Sequence, residues 1–212
     1  MKENPSRIGV LALQGSFAEH VASLRKAGAE AFELRMPEEL EGLEGLVIPG
    51  GESTTILKLM DLYGLREPLR DRIGAGLPVL GTCAGAVCLS MHISSHTMHP
   101  LGLIDIVVER NAFGRQVESF EEDLQIDGLE GLPFRGVFIR APIIKSCGQN
   151  ARVLARLANG TIVACAQDNV LVTSFHPEFV DDLRVHRHFT TMVESRQTKE
   201  LTDTPMQAFS GR

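Results

Sequence analysis

Cys83 stands between two glycines in Gly81-Thr82-Cys83-Ala84-Gly85, directly after the apolar run Leu77-Pro78-Val79-Leu80. The run reads as a short buried strand that breaks at Gly81 and resumes as a helix at Ala84. One sulfur therefore sits at the tip of a sharp turn. Small residues on either side let such an elbow hold a strained backbone and project its side chain from the sheet edge. The helix start adds unpaired N–H groups and the positive end of a dipole, both of which favour thiolate over thiol. A cysteine in apolar surroundings is ordinarily a small core residue, but the glycine spacing here points to a nucleophile. A nucleophile needs a base, and the apolar run Val170 to Phe175 leads directly into His176-Pro177-Glu178. Pro177 biases His176 towards an extended backbone, so that its imidazole and the Glu178 carboxylate can point the same way. A carboxylate on one ring nitrogen fixes the tautomer and leaves the other nitrogen to exchange a proton with sulfur. The chemistry implied is acyl transfer by Cys83, His176 and Glu178. A His-Pro-Glu tripeptide alone is usually a surface turn, but here both pieces lie at the C-terminal ends of predicted strands, where ligands gather in open α/β sheets.

Three further segments fall at the same predicted edge. Pro49-Gly50-Gly51-Glu52-Ser53 follows the strand Leu46 to Ile48 and opens a helix. Its backbone can offer N–H groups to an oxygen that becomes negative during attack, and Gly51 with Ala84 would form an oxyanion hole. An ordinary glycine turn with Ser53 as N-cap is compatible with that role. Arg110 and Arg140, each after a strand, are candidates for holding a charged small molecule, although a lone surface arginine is ordinarily solvated.

These pieces must be positioned by a scaffold, and the first half of the chain supplies alternating elements. Strands are predicted at Ile8 to Leu13, Ala31 to Leu34 and Leu46 to Ile48, with helices at Phe17 to Ala27, Thr54 to Leu62 and Arg66 to Ile73, before the Cys83 strand and its helix. Phe17, Val21 and Leu24 recur at helical spacing, and short apolar strands bounded by Gly and Pro suit a parallel sheet covered on both faces. The pattern predicts an α/β, flavodoxin-like doubly wound fold with a mostly parallel sheet and helices on both faces. From Leu101 onward strands succeed one another (Ile104 to Val108, Phe120 to Ile126, Val137 to Ile139, Val153 to Leu157, Ile162 to Ala166, Val170 to Phe175), and some are expected to lie antiparallel at one edge. Arg184 to Ser195 reads as a closing helix. One domain is expected over residues 1–198, with a frayed polar tail over 199–212.

Composition bounds the setting. The 212 residues, 43% hydrophobic, suffice for one domain with a substantial core. A net charge of −6 without a dense Lys/Arg run lacks the footprint of a nucleic-acid binder. Four cysteines, at 83, 88, 147 and 165, form no CxxC pair and suit a reducing compartment. The polar start, Met1 to Arg7, reads as neither signal peptide nor anchor, and no segment has membrane-spanning length. A cytoplasmic chain that binds neither nucleic acid nor membrane is expected.

Taken together, PGGES, GTCAG and SFHPE resemble the class I, triad-type glutamine amidotransferases, whose glutaminase domains release ammonia from glutamine through a γ-glutamyl thioester. Within them LALQGSFAEH (residues 11–20), PGGESTT, ERNAFGRQ (Glu109 to Gln116) and FIRAP (Phe138 to Pro142) are similar to the glutaminase subunits of pyridoxal 5′-phosphate synthase. The likeness runs from about Ile8 to Phe189. It implies Cys83 as nucleophile, His176 as base, Glu178 as orienting acid, and glutamine contacts from Gly51, Glu52, Ser53, Arg110, Ile139 and Arg140. It further implies no cofactor and no metal, and a partner synthase that receives the ammonia; Gln14 and Gly15 are candidate contacts for that partner.

The chain departs from the family pattern between Ala86 and Pro100, where three histidines (His92, His96, His99) and Cys88 replace an aliphatic helix and charged loop. His92 and His96 are spaced for one helical face, yet no carboxylate accompanies them, so an irregular surface loop is expected rather than a metal site. The Cys83 helix is expected to be shorter or shifted. Rival readings are a glutaminase subunit for another ammonia acceptor, such as imidazole glycerol phosphate synthase, and a flavodoxin-like cysteine hydrolase or chaperone. Neither of the latter needs PGGES, Arg110 and Arg140 together. A subunit that only binds or regulates would be expected to have lost one of Cys83, His176 and Glu178.

Overall fold

Alternation within the first strands sets up two apolar layers. In β1 (Arg7–Leu11) Ile8 and Val10 face one side and Leu11 the other, and in β3 (Gly45–Ile48) Val47 shares the side of Val10 while Leu46 and Ile48 oppose it. Strands apolar on both faces must be covered on both, and the βαβ crossovers of a parallel sheet do this. The computed structural model describes residues 4–94, 98–110 and 119–203, with side chains described as far as 198. One layer receives α2 (Ser53–Leu62), α3 (Arg66–Gly74) and α4 (Ala84–Leu89) through Ile56, Met60, Leu69 and Leu89. The other receives α1 (Phe17–Lys26) and α5 (Arg184–Asp203) through Val21, Leu24, Val185, Phe189 and Val193. The hairpin of β7 (Ser119–Leu124) and β8 (Phe134–Ile139) joins this second layer, with Phe138 stacked on Phe120 and edge-on to Phe175.

Among the described residues the main sheet has ten strands. Its order is β2 (Glu30–Leu34), β1, β3, β4 (Val79–Thr82), β12 (Val170–Thr173), β11 (Ile162–Gln167), β9 (Ile143–Cys147), β6 (Ile104–Glu109) and β5 (Ser90–Ile93), while β10 (Arg152–Arg156) pairs with β11 off this path. Pairing is parallel from β2 to β12 and antiparallel through β11, β9 and β6, so the fold is the flavodoxin-like doubly wound one with an antiparallel side. Among the described residues no helix is long and apolar enough to cross a membrane.

Several boundaries differ from the expectations. The segment expected as an irregular loop after Leu89 begins as β5, because the N–H groups of Leu101, Gly102 and Leu103 bond back to the carbonyls of Cys88, Ser90 and Leu89 and hold the outgoing chain beside β6. His92 is therefore an exposed strand residue, and His96, expected to share a helical face with it, lies outside the described residues. The Cys83 helix spans only Ala84–Leu89. β9 was not foreseen, because Lys145 and Ser146 break its apolar run. β12 ends at Thr173 rather than Phe175, since Ser174 N turns to Val163 O and Thr173 Oγ1 donates to Phe175 O. α5 continues to Asp203, past the predicted stop at Ser195, so the tail expected from Lys199 starts inside a helix. No Gly or Pro occurs between Arg184 and Asp203 to end it.

Candidate active site

Strand register alone brings the functional segments to one edge. Thr82 pairs with Thr173, Ile48 with Gly81 and Val10 with Val47 in parallel ladders. Cys83, His176, the Gly50-Gly51 turn and Gln14 therefore all leave their strands at the C-terminal rim.

Cys83 has φ 48° and ψ −103°, a conformation costly for a residue with a Cβ. Its N–H donates to Thr173 O at 2.8 Å, which fixes the elbow to β12. The strain sits on Cys83 itself, and the flanking glycines serve close approach. A Cβ on Gly85 would lie 2.0 Å from Ile48 O, and one on Gly81 would lie 2.6 Å from Leu89 Cδ1. On the facing side Gly50 lets the backbone touch the imidazole: a Cβ there would lie 2.3 Å from His176 Cε1 and 3.4 Å from Cys83 Cβ.

His176 is extended (φ −104°, ψ 92°), and its N–H donates to Val137 O. Its ring stacks on Phe179 with centroids 5.1 Å apart. The 3₁₀ turn Pro177–Phe179 then swings Glu178 back, so that Nδ1–H of His176 donates to Glu178 Oε1 at 2.7 Å. Ser16 Oγ donates to the same oxygen at 2.6 Å. Burial works against a charged imidazole, but hydrogen bonds with Cys83 and Glu178 outweigh it and push the His176 pKa up to about 10. Burial likewise opposes the Glu178 carboxylate, and the neighbouring His20 and His176 together hold its pKa well below the usual range.

A cavity of about 280 Å³ opens in front of the sulfur, near the lower end of small-ligand sites. Gly51, Glu52, Ser53, Cys83, Ala84, Arg110, Ile139, Arg140 and His176 line it, together with Gln14, Val87 and Pro142. Of the site residues expected from sequence, only Glu178 is outside the lining, behind His176. Glu52 and Arg110 form an ion pair across the cavity. Glu52 also accepts from Thr54 Oγ1 at 2.8 Å, and its backbone N–H donates to Gln14 Oε1 at 2.7 Å. The helix cap is Glu52, with Ser53 the first helical residue, and not Ser53 as expected. Arg140 holds φ 44° at the rim, and the Ile139 carbonyl lies 3.9 Å from Cys83 Sγ. Cys83, Cys88, Cys147 and Cys165 are all free, and of these Cys83 lines the cavity. Cys88 is fully buried behind it, and burial pushes its pKa up to about 12. No cluster of three or more metal-binding side chains occurs among the described residues. Of the ERNAFGRQ segment, residues 111–116 lie outside the described residues.

Ser16, His20, Thr82 and His186 were given no role from sequence, although all four sit around or behind Glu178 and Cys83. The available signal was the four-residue step from Ser16 to His20, which puts two polar side chains on one face of the helix start.

Comparison with known proteins agrees with this geometry. Residues 10–195 match the SNO glutamine amidotransferase family. The chain belongs to that family. Relatives include the pyridoxal 5′-phosphate synthase subunit PdxT of Dehalococcoides mccartyi strain BAV1, 51% identical over 191 residues that cover 89% of this chain and 98% of the relative. The PdxT of Streptomyces avermitilis is 53% identical over 199 residues, 93% of this chain and 98% of the relative. A solved structure described as a glutamine amidotransferase superposes with a TM-score of 0.84 at 50% identity, covering 88% of this chain and 98% of that one. As a glutamine amidotransferase, this enzyme has its strained cysteine and buried His–Glu pair facing a cavity that also carries one acidic and two basic side chains.

Proposed function

We propose that this amidotransferase is the glutaminase subunit of a pyridoxal 5′-phosphate synthase, hydrolysing L-glutamine to L-glutamate and passing ammonia to a partner synthase subunit in vitamin B6 biosynthesis. The observation that carries it is Cys83, strained and facing the imidazole of the His176–Glu178 pair, at a cavity holding Glu52, Arg110 and Arg140. The opposite charges of Glu52 and Arg110 suit the α-ammonium and α-carboxylate of an amino acid, each exchanging its partner in the ion pair for the substrate.

Cys83 Sγ attacks the side-chain amide carbon, and the oxygen that becomes negative is received by the N–H groups of Gly51 and Ala84. The His176 imidazolium donates its proton to the leaving nitrogen, ammonia departs, and a thioester remains. The imidazole, now neutral and steadied by Glu178, takes a proton from water, and the hydroxide releases glutamate and regenerates the sulfur. Free ammonia is protonated in water at neutral pH and loses its nucleophilicity, so delivery to an acceptor calls for an enclosed path. Names of relatives at about half identity over nearly the whole chain support the synthase as that acceptor.

The test is ammonia release from glutamine by wild type and Cys83→Ala, each with and without the synthase subunit. Wild type should be weak alone and faster in the complex, and Cys83→Ala should be inactive in both. Turnover surviving in Cys83→Ala overturns the nucleophile, and equal wild-type turnover with and without the synthase overturns the partner dependence.

A further inference from the structure

Glu178 uses one oxygen for two donors and leaves the other without an aligned one. Oε1 accepts from both His176 Nδ1–H and Ser16 Oγ–H, while Oε2, fully buried, has no hydrogen-bond partner of good geometry among the described residues. An ionised carboxylate oxygen left so in a protein interior is costly. The group that faces it is His20 of α1, whose Nε2 lies 3.2 Å from Oε2 with both side chains at 0% exposure. The same Nε2 lies 3.0 Å from Thr82 Oγ1, the hydroxyl next to the nucleophile, and Nδ1 on the far side of the ring lies 3.1 Å from His186 Nε2 on α5.

We propose that His20 is a positioning residue for the catalytic set, a fourth member whose Nε2–H holds the triad acid ionised and aimed at His176 and ties it to the elbow strand. This inference rests on the glutaminase reading. A carboxylate carries only lone pairs, so a nitrogen 3.2 Å away must bring a hydrogen or be repelled. Nε2–H is therefore required, and it lies between two acceptors, Glu178 Oε2 and Thr82 Oγ1. The ring is kept from turning by His186, whose other nitrogen has no partner among the described residues. Burial and the neighbouring His20 hold the His186 pKa down at about 3, so His186 is neutral at physiological pH. The groups against the Glu178 carboxylate are thus Ser16, His20 and His176, with Thr82 and His186 holding His20 from behind, so that four separate segments meet here. Each has a fixed place, and the acid cannot rotate away from His176 without losing one of them.

Two substitutions of similar size separate donor from filler. His20→Gln can present an amide N–H near the position of Nε2, whereas His20→Asn reaches only as far as Nδ1 and keeps the His186 side alone. With the synthase present, His20→Asn should lower kcat about ten- to a hundred-fold at unchanged KM, the range typical of a lost supporting partner. It should also move the acid limb of the kcat profile to higher pH, because a carboxylate without that donor takes up a proton sooner. His20→Gln should recover most of both. Equal kcat and acid limbs in His20→Asn and wild type, or equal losses in both variants at wild-type melting temperature, overturn the proposal. A second measurement needs neither turnover nor a variant that folds well. In full-length wild type labelled with ¹⁵N-histidine, the long-range ¹H–¹⁵N correlation of His20 should show a protonated Nε2 at neutral pH, and a bare Nε2 overturns the proposal. Absence of any glutamine hydrolysis by wild type would instead overturn the glutaminase reading and leave this spectrum to decide the role of His20.

Discussion

Among the described residues three hold positive φ without being glycine, Cys83 at 48°, Arg140 at 44° and Asp168 at 48°, and two of them line the cavity. Each such conformation costs about 1–3 kcal/mol and persists where surrounding structure enforces it. At Cys83 the enforcement is visible in the bond from its N–H to Thr173 O and in the glycines that admit β3, α4 and the His176 ring. Gly50 is the most exacting of these neighbours. In Gly50→Ala the new methyl would have to displace the imidazole, and for the base proposed above a shift near 1 Å costs about 10²-fold in rate. The expected result is a loss of that size in ammonia release with the synthase, measured beside a melting curve that shows the variant folded. The sequence pointed to Cys83 and His176 because their local signals are strong: glycines at fixed offsets and a proline after the histidine. His20 had no comparable local signal. Its importance comes from lying 3.2 Å from a carboxylate 158 positions away in the chain, and no spacing rule carries that.

At the scale of elements, the strand–elbow–helix of β4 and α4 is held by contact with β3, and Gly85 is the point of contact. A Cβ 2.0 Å from Ile48 O cannot be accommodated by a side-chain rotation, because the neighbour is backbone. Gly85→Ala should lose about 1–3 kcal/mol of unfolding free energy in urea titration, the usual cost of overpacking. On the other layer α5 brings His186 fully into the interior. An unfolded histidine takes up its proton near pH 6.5, whereas folded His186 does so only at about 3, so the unfolded state binds more protons as pH falls between these values. That part of the stability is complete above 6.5 and is lost towards 3. His186→Leu should flatten the fall of melting temperature between about pH 6.5 and 4, measured by circular dichroism. β5 and the extension of α5 are elements that periodicity misplaced. β5 exists because three backbone bonds clip it to its own outgoing chain, and α5 runs on because nothing in its sequence interrupts it.

For the whole molecule the buried polar set behind the cavity makes stability depend on pH from both sides. His176 has the opposite sign to His186: its folded pKa of about 10 exceeds the unfolded value, so its contribution is complete below 6.5 and lost as pH rises towards 10. Glu178, held low in the fold, contributes above the unfolded carboxylate value and loses its contribution in acid. The sum predicts a melting temperature that peaks near pH 6.5 and falls both ways, measured by calorimetry on the full chain. A monotonic profile from about pH 5 to 9 would show that His176 is not charged in the folded protein. The same architecture explains why a single rim serves the chemistry. Parallel strands end in step, so residues separated by more than ninety positions leave the sheet side by side.

The amino-acid sequence on its own pointed to the layering, the elbow and the pairing of His176 with Glu178, because each arises from local rules: apolar alternation, glycine and proline punctuation, and the residue types found just past the end of a strand; Glu52, Ser53 and Ile139 came to the cavity only through the family resemblance. Ser53 as cap, the loop after Leu89 and the end of α5 were misread where a distant partner or an uninterrupted run outweighed the local signal. Only the tertiary structure decided that Glu178 sits behind the imidazole rather than in the cavity, that Glu52 and Arg110 pair across it, and that His20, Thr82 and His186 close around the acid. Those are contacts between segments far apart in the chain, and they exist because the sheet register, not any nearby residue, brings the segments together.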